Sequence, residues 1–281
     1  FAHLWLARRH DALHPGLARP LHAAGVWVLA VVGARETAWA IDLAVQGQRV
    51  WPSIAWAIVP AALLALLSAR GVRARWPLSA HPQSYVLAGA APLTLFLALW
   101  TFYANVTSDG DPLPLAYLPL LNPLDIAMAA SFLVIAAWLR AAAELGWRER
   151  LQGARRFLVG AWGAALFVWI NGILLRSLHH WAGLPFDLHS MISSRLVQAS
   201  FTLLWMLLAL GAMVVATRRA LRPLWISGAA LMGIVVTKLF VVDLSAIGTV
   251  ERIVSFIGAG VLMLLIGYLS PVPPRLDPRP S

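Results

Sequence analysis

The sequence predicts an all-α protein, a polytopic bundle of about eight transmembrane helices. Hydrophobic residues make up 60% of the 281 residues and charged residues only 12%, about half the charged fraction of a typical soluble domain. The mean hydropathy is +0.75, and the apolar residues form separate runs of about 20, the length that crosses a bilayer. Because a backbone in lipid must satisfy its own hydrogen bonds, we expect each run to be a helix.

The predicted spans follow one another along the chain with polar connections. They cover residues 22–45, 52–69, 85–104, 123–145, 157–178, 195–217, 223–244 and 252–270. Together they form a transmembrane domain over residues 21–270. Residues 1–20 are expected to be the end of a preceding helix and a basic cytoplasmic segment, and residues 271–281 a Pro-rich cytoplasmic tail.

The first ten residues, "FAHLWLARRH", place their arginines after the apolar stretch. A signal peptide has its positive residues before the apolar stretch. We therefore expect the chain to continue upstream, and an upstream transmembrane part of the same protein to be a partner of these helices.

Arginine is concentrated in alternate connections, which predicts the orientation. The Arg-rich segments are 1–20, 70–81, 146–156, 218–222 and 271–281. The connections nearly free of arginine and lysine are 46–51, 105–122, 179–194 and 245–251. The positive-inside rule makes the first set cytoplasmic, with both chain ends, and the second set external. The net charge of +10 is then a topology signal and a contact for anionic lipids at the cytoplasmic arginines. Nucleic acid is not an expected partner.

Charged and polar residues within the spans are the candidates for a functional site. A charge at mid-bilayer costs about 2.5–3.5 kcal/mol even on the lenient insertion scale, and these residues gather in the predicted outer half of the membrane. We expect them to form an inter-helix polar network that opens outward. Its predicted members are Arg35, Glu36, Asp42, Asn171, Arg176, His179, His180, Lys238, Asp243 and Arg252.

Lys238 and Asp243 are about 140° apart on a helix with 100° per residue. Each is therefore expected to bond to another span, and Glu36 or Asp42 could serve Lys238. The alternative for Lys238 is structural, because its four-carbon stem can extend outward to the interface.

Other polar residues have an expected structural role only. In "LNPLD", Asn122 is the predicted N-cap of a helix and Asp125 an acid of its first turn. Arg140 and Glu144 have the i, i+4 spacing of an intrahelical ion pair. We expect neither Asp125 nor this pair to belong to the site.

The segment "HHWAGLPFDLH" contains three histidines and an aspartate, residue types that bind transition metals. His179 and His180 diverge by about 100° on a helix, and the sequence has no HExxH motif. We therefore expect hydrogen bonding or proton transfer here and no metal. The sequence lacks a P-loop, a GxSxG elbow and a complete dinucleotide-binding glycine motif, so no cofactor is predicted. Cysteine is absent, which excludes disulfides and thiol chemistry.

The segment "VTKLFVVDLSAIGTVERIVSFIGAGVLMLLIGYL", residues 236–269, closely resembles the C-terminal signature of a bacterial family of predicted multi-pass membrane proteins, domain of unknown function 2339. "LRSLHHWAGLPF", "LVQASFTLLWMLLAL" and "LNPLD" resemble other recurrent pieces of that family. The resemblance implies a longer protein with further spans upstream, and we expect it in the bacterial inner membrane. It implies no activity and gives no role to the residues that match its pattern, which are Lys238, Asp243, Arg252, Ser255, His179 and His180.

An outward-facing polar network leaves two classes of function open. In the first, the protein binds and moves a polar or anionic envelope lipid, glycan or solute, and Lys238, Arg176 and Arg35 receive its negative charge. In the second, it is a membrane-embedded transferase that modifies an envelope lipid or glycan, with His179 or His180 as general base. The third alternative is a structural scaffold in which the charges only hold helices together. The sequence leaves enzyme activity undecided.

Overall fold

The computed structural model describes residues 15–45 and 50–239, together with four helical positions at 257, 260, 261 and 264. Within these residues the fold is all-α and contains no strand. Six described segments are long and apolar enough to cross a membrane: Leu17–Ala44, Val50–Ser68, Gln83–Thr107, Pro123–Gly153, Arg155–Ala182 and Arg195–Arg218. The chain divides into two compact units, Phe1–Gly183 and Leu184–Ser281.

The first unit contains most of the described helices. In chain order they are α1 Pro15–Ala44, α2 Val50–Ser68, the short α3 Arg70–Arg73, α4 Ala90–Thr107, α5 Pro123–Ala142, the short α6 Arg148–Gly153 and α7 Arg155–Ala182. A π-helical segment, Gln83–Gly89, leads directly into α4, and a second, Ala143–Trp147, follows α5. Residues 108–122 connect α4 to α5 and are called the external loop below, after the side of the membrane that the sequence predicts for them.

The core of the first unit lies around α2, which packs against α1, α4 and α5. Its fully buried side chains include Leu64, Leu97, Leu124 and Met128. Tryptophan side chains form hydrogen bonds between the helices, because a buried indole N–H needs an acceptor. The indole of Trp138 on α5 donates to the carbonyl of Val86 at 2.7 Å, within the first π-helical segment.

Helix α5 ends at a bend. Leu145 and Gly146 leave helical geometry there, and Gly146 has φ +102°, a conformation that L side chains rarely adopt. The chain then continues into α6 and α7. Glycine ends α7 too: Gly183 has φ +67° and its N–H bonds to the carbonyl of His179 at 3.1 Å.

Residues 184–239 of the second unit form a helical hairpin preceded by a short helix. The helices of this described part are α8 Leu188–Ser193, α9 Arg195–Arg218 and α10 Arg222–Lys238. Ala209, Met213 and Met232 form the buried contact between α9 and α10. Gly228 permits this approach, because a Cβ there would lie 2.7 Å from the Cγ of Met213 and 3.0 Å from the carbonyl oxygen of Ala209.

The predicted spans and the observed helices agree in type and differ in extent. The first six predicted spans coincide with the six candidate membrane helices. The seventh, 223–244, corresponds to α10, which is described only to Lys238. The eighth, 252–270, lies outside the described residues except for the four helical positions, as do the tail 271–281 and residues 1–14. The loop predicted at 179–194 is partly wrong, because α7 continues to Ala182 and α8 follows it, with Asp187 as its N-cap.

Candidate functional site

Three spans of the first unit each place one buried polar residue at the same end of the bundle. Asn105 lies in the last turn of α4, Asp125 in the first turn of α5, and Arg176 near the end of α7. The exposed fractions are 5% for Asn105 and 0% for both Asp125 and Arg176. The three side chains meet in one buried cluster, which we call the polar layer.

The centre of the polar layer is an ion pair between Arg176 and Asp125. The distance from Arg176 Nη2 to Asp125 Oδ1 is 2.7 Å. Arg176 Nη1 donates to Asn105, at 3.1 Å to Oδ1 and 3.3 Å to the backbone carbonyl. Burial of either charge alone would be costly, so the pair and its hydrogen bonds are what make both residues tolerable in this position.

Neighbouring residues hold the polar layer in place. The indole of Trp169 donates to Asp125 Oδ1 at 3.2 Å, and the amide of Asn105 donates to the carbonyl of Val168 at 2.8 Å. Arg176 Nε and Asp125 Oδ2 are buried and have no hydrogen-bond partner among the described residues. The layer therefore retains some unused hydrogen-bonding capacity.

Asn122 connects the polar layer to the external loop. Its Oδ1 accepts the N–H of Leu124 at 2.8 Å, which confirms the predicted N-cap of α5. Its Nδ2 donates to the carbonyl of Gly110 at 2.7 Å. Gly110 itself lies against Arg176, since a Cβ there would be 2.7 Å from Arg176 Cδ. The loop thus closes directly over the ion pair.

Above this layer the external loop and the end of α7 enclose a cavity of about 480 Å³, which we call the loop pocket. Its polar and aromatic walls are Asp109, Asp111, Tyr117, His179, His180 and Trp181. The remaining residues that line it are apolar, and none of the lysines or arginines among the described residues lines the pocket. Its chemistry is that of carboxylates, imidazoles and aromatic rings.

His180 has a fixed position and a defined tautomer in this pocket. Its ring stacks on Tyr117 with 4.2 Å between the centroids, and its Nε2 lies 3.0 Å from the carbonyl oxygen of Asp109. Because a carbonyl only accepts, Nε2 carries a proton, and in the neutral ring Nδ1 then has the lone pair. Burial raises the pKa of Tyr117, so its phenol stays protonated at neutral pH and presents a neutral face to His180.

Lys238 lies in the second unit and bonds within it. Its ammonium donates to Thr202 Oγ1 at 2.7 Å and to the carbonyl of Gln198 at 3.1 Å, both on α9. The expectation that Lys238 bonds to another helix is confirmed by these contacts. Its pairing with Glu36 or Asp42 stays a prediction.

Four further predicted site residues are described and lie outside the polar layer and the loop pocket. Arg35, Glu36 and Asp42 are exposed on α1. Asn171 is half-buried and donates to the carbonyl of Phe167 in its own helix at 2.7 Å. Asp243 and Arg252 lie outside the described residues. Within the described residues, no group of three or more His, Cys, Asp or Glu side chains is arranged to hold a metal ion.

Two acidic residues have partners that the sequence did not predict. Asp125 does lie in the first turn of α5, but it is also the partner of Arg176. Glu144 does not pair with Arg140; it pairs with Arg70 and with Arg73, whose Nη2 lies 3.0 Å from Glu144 Oε2. Both oxygens of the Glu144 carboxylate bond to these two guanidinium groups, which come from a distant part of the sequence and which an i, i+4 spacing cannot predict.

Sequence reasoning missed Asn105, Asp109, Asp111 and Tyr117 as site residues. A signal for two of them was present, since "DGD" stands in an external connection that lacks arginine and lysine. Asn105 and Tyr117 carried no local signal, because a polar residue at a helix end and an aromatic residue in a loop are common.

Comparison with known protein families gives a match over most of the chain. A family profile described as "Predicted membrane protein (DUF2339)" matches residues 1–273. No curated protein matches the chain, and no solved structure does.

Proposed function

The chain belongs to the DUF2339 family of predicted membrane proteins, and on this premise we propose that it binds a hydroxyl-rich group of an envelope lipid or glycan in the loop pocket and moves that group at the membrane. The chain is a multi-span membrane protein in contact with the lipid bilayer. The observation that carries the proposal is the loop pocket, a polar cavity of about 480 Å³ at the end of three spans. A cavity of this size is typical of small-ligand sites.

The residues that line the pocket favour a neutral polar ligand over an anion. The carboxylates of Asp109 and Asp111 accept hydrogen bonds from hydroxyl groups and would repel a phosphate or carboxylate. The rings of Tyr117 and Trp181 offer flat apolar faces of the kind against which a sugar ring packs. The guanidinium of Arg176 lies in the polar layer next to the pocket, and Asp125 already neutralises its charge.

We further propose that the protein lies in the bacterial inner membrane with both ends cytoplasmic, so that the loop pocket faces outward. The support is the distribution of charge at the two ends of α5. At its start lies the loop pocket with its aspartates, and beyond its end Glu144 pairs with Arg70 and Arg73. Arg148, Arg150, Arg155 and Arg156 follow in the same connection, and such an excess of arginine is what the positive-inside rule associates with the cytoplasmic side.

The test is mass spectrometry of envelope lipids and glycans from a strain that lacks the full-length gene. The strain is complemented with wild type, with the double variant Asp109→Asn/Asp111→Asn, or with Glu149→Gln, at equal protein levels. The asparagine variants keep an acceptor oxygen but remove both charges. Glu149 is an exposed carboxylate on α6 and serves as the matched control.

We expect one polar envelope component to be lost or mislocalised in the null strain and in the double variant, and to be normal with Glu149→Gln. An envelope inventory that is the same in the null strain and the wild type would contradict the proposal. Lys238→Met belongs in the same series, because a loss there with normal protein abundance would add the second unit to the site.

The second candidate function is a transferase, and the tautomer of His180 favours it. With Nε2 hydrogen-bonded to the carbonyl of Asp109, Nδ1 of the neutral ring can accept the proton of an acceptor hydroxyl while its oxygen bonds to the transferred group of an activated donor and the donor's leaving group departs with the electrons of the broken bond. His180→Gln separates the candidates. A transferase would lose the covalent modification with this variant as fully as in the null strain, whereas a protein that only binds and moves its ligand would retain it at a reduced level.

A further inference from the structure

We infer that the ligand of the loop pocket is one end of an amphiphile, a lipid whose hydrocarbon chain lies in a groove between α4, α5 and α7. This inference rests on the proposed function for the polar end of the ligand and adds the class of molecule that carries it. The groove lies below the polar layer, within three candidate membrane spans.

The groove has the size and surface of a hydrocarbon site. Its volume is about 290 Å³, close to the lower limit of about 300 Å³ for small-ligand pockets. Aromatic rings form much of its walls, among them Phe132, Trp162 and Trp169, and Ala98 and Ala165 leave the space between them. None of the described residues that line the groove is charged.

Most of the polar side-chain atoms in its walls are already bonded within the protein, the indole N–H of Trp162 excepted. Thr94 and Thr101 donate to carbonyls of their own helix at 3.1 and 2.7 Å. The indole of Trp138 bonds to Val86 and that of Trp169 to Asp125. A ligand in the groove therefore meets a surface with little hydrogen-bonding demand, which suits a hydrocarbon chain and disfavours a polar solute.

The surroundings of the groove also favour lipid. Only 6% of the most apolar 18-residue window of α7 is buried, and both Ala98 and Phe102 on the α4 side are exposed. In a multi-span membrane protein such a surface is solvated by acyl chains. The occupant we propose is therefore one chain of a membrane lipid.

One face of each helix connects the groove to the loop pocket through the polar layer. On α7 the residues at i, i+3 and i+4 spacing are Leu158, Trp162, Ala165, Trp169, Gly172, Arg176 and His179. On α4 they are Thr94, Ala98, Thr101 and Asn105, and on α5 they are Asp125, Met128, Phe132, Ile135 and Leu139. Asn105 and Trp169 line the groove and also bond to the polar layer.

The distances fit a single lipid. Trp169 and His180 are eleven residues apart on α7, a rise of roughly 16 Å at 1.5 Å per residue. One leaflet of the hydrocarbon core is about 15 Å thick. The length of one acyl chain therefore spans the distance from the loop pocket to the groove, along a path that must pass beside the fully buried side chains of Arg176 and Asp125.

The test is photocrosslinking of the full-length protein in phosphatidylethanolamine–phosphatidylglycerol nanodiscs. Two probes carry the same diazirine acyl chain, one under a glucosyl and the other under a choline headgroup. Ala165→Phe and Ala98→Phe fill the groove from opposite walls. Ala164→Phe makes the same change at the exposed neighbouring position of α7 and is the control. Melting temperatures and yields identify any variant that does not fold.

We expect crosslinked peptides from residues 94–105 and 158–169, at least fivefold weaker in Ala165→Phe and Ala98→Phe and unchanged in Ala164→Phe. Equal labelling of all three folded variants would contradict an acyl chain in the groove. Crosslinks from the wild-type groove to protein, without labelling by the lipid probe, would also contradict it, because a helix would then occupy the groove.

The two headgroups separate this inference from the proposed function. Stronger labelling by the glucosyl probe that Asp109→Asn/Asp111→Asn abolishes supports both. Equal labelling by both probes, still blocked by Ala165→Phe, keeps the groove and contradicts the sugar-binding pocket. Loss of the glucosyl preference without any groove labelling contradicts the amphiphile and keeps the pocket.

Discussion

A buried arginine in a helix bundle is stable only if an opposite charge or hydrogen-bond acceptors lie next to it. Arg176 has both, since Asp125 Oδ1 lies 2.7 Å from Nη2 and Asn105 accepts from Nη1. The desolvation cost of such a pair can equal or exceed its attraction, so the pair need not stabilise the fold relative to apolar residues. Removal of one partner is costly because it leaves the other charge buried and unpaired.

We therefore predict a strongly non-additive double-mutant cycle. Arg176→Met or Asp125→Leu alone should cost about 3–5 kcal/mol, a fall of roughly 10 °C in melting temperature. The double variant should be at least as stable as the better single variant. Thermal unfolding in detergent, followed by tryptophan fluorescence, measures all four proteins. Additive losses in the double variant would show that the two charges do not depend on each other.

At the scale of the helix, the packing of α7 differs along its length. Most of its length is lightly packed, and its buried residues are Gly172 and Arg176. Gly172 is where α7 approaches α4, because a Cβ there would lie 2.2 Å from Asn105 Oδ1. Since Asn105 also bonds to Arg176, the close approach of the two helices and the geometry of the polar layer depend on one glycine.

Gly172→Ala should therefore lower the melting temperature and weaken binding of the glucosyl probe, because Asn105 must move. Gly163→Ala is the matched control on the same helix, since no atom lies within 4 Å of its added Cβ. The control should leave stability unchanged or raise it by up to about 1 kcal/mol, as alanine favours a helix over glycine. Equal effects of the two changes would show that α7 does not approach α4 at Gly172.

At the scale of the molecule, the first unit has two chemically different ends. One holds the loop pocket with Asp109, Asp111 and the histidines, and the other holds Arg70, Arg73 and Glu144. Chain direction links them, because α5 begins at the first end and its bend is at the second. If one end is assigned to one side of the membrane, the other end must therefore lie on the opposite side.

We predict that an impermeant maleimide labels Ala116→Cys in intact spheroplasts and labels Ala154→Cys only after permeabilisation. The chain has no native cysteine, so each variant carries a single thiol. Ala116 lies in the external loop and Ala154 between α6 and α7. Equal labelling in detergent controls for reactivity. The reverse pattern would invert the orientation and put the loop pocket in the cytoplasm.

The sequence by itself determined the features that depend on local composition. Runs of about 20 apolar residues predicted membrane helices because lipid leaves the backbone no other way to pair. The N-cap at Asn122 was predictable because capping uses residues two or three positions apart. Arg176, His179 and His180 were predicted as site residues because polar groups are energetically costly in a span.

Only the tertiary structure decided how the polar residues are partnered. Asp125 looked like an ordinary first-turn acid, and its partner Arg176 is 51 residues away in the sequence. The loop pocket likewise needs the external loop to fold over the end of α7, more than 60 residues later in the chain. A local sequence pattern shows that burial of a charge costs free energy. Which group offsets that cost depends on how helices distant in the sequence pack together.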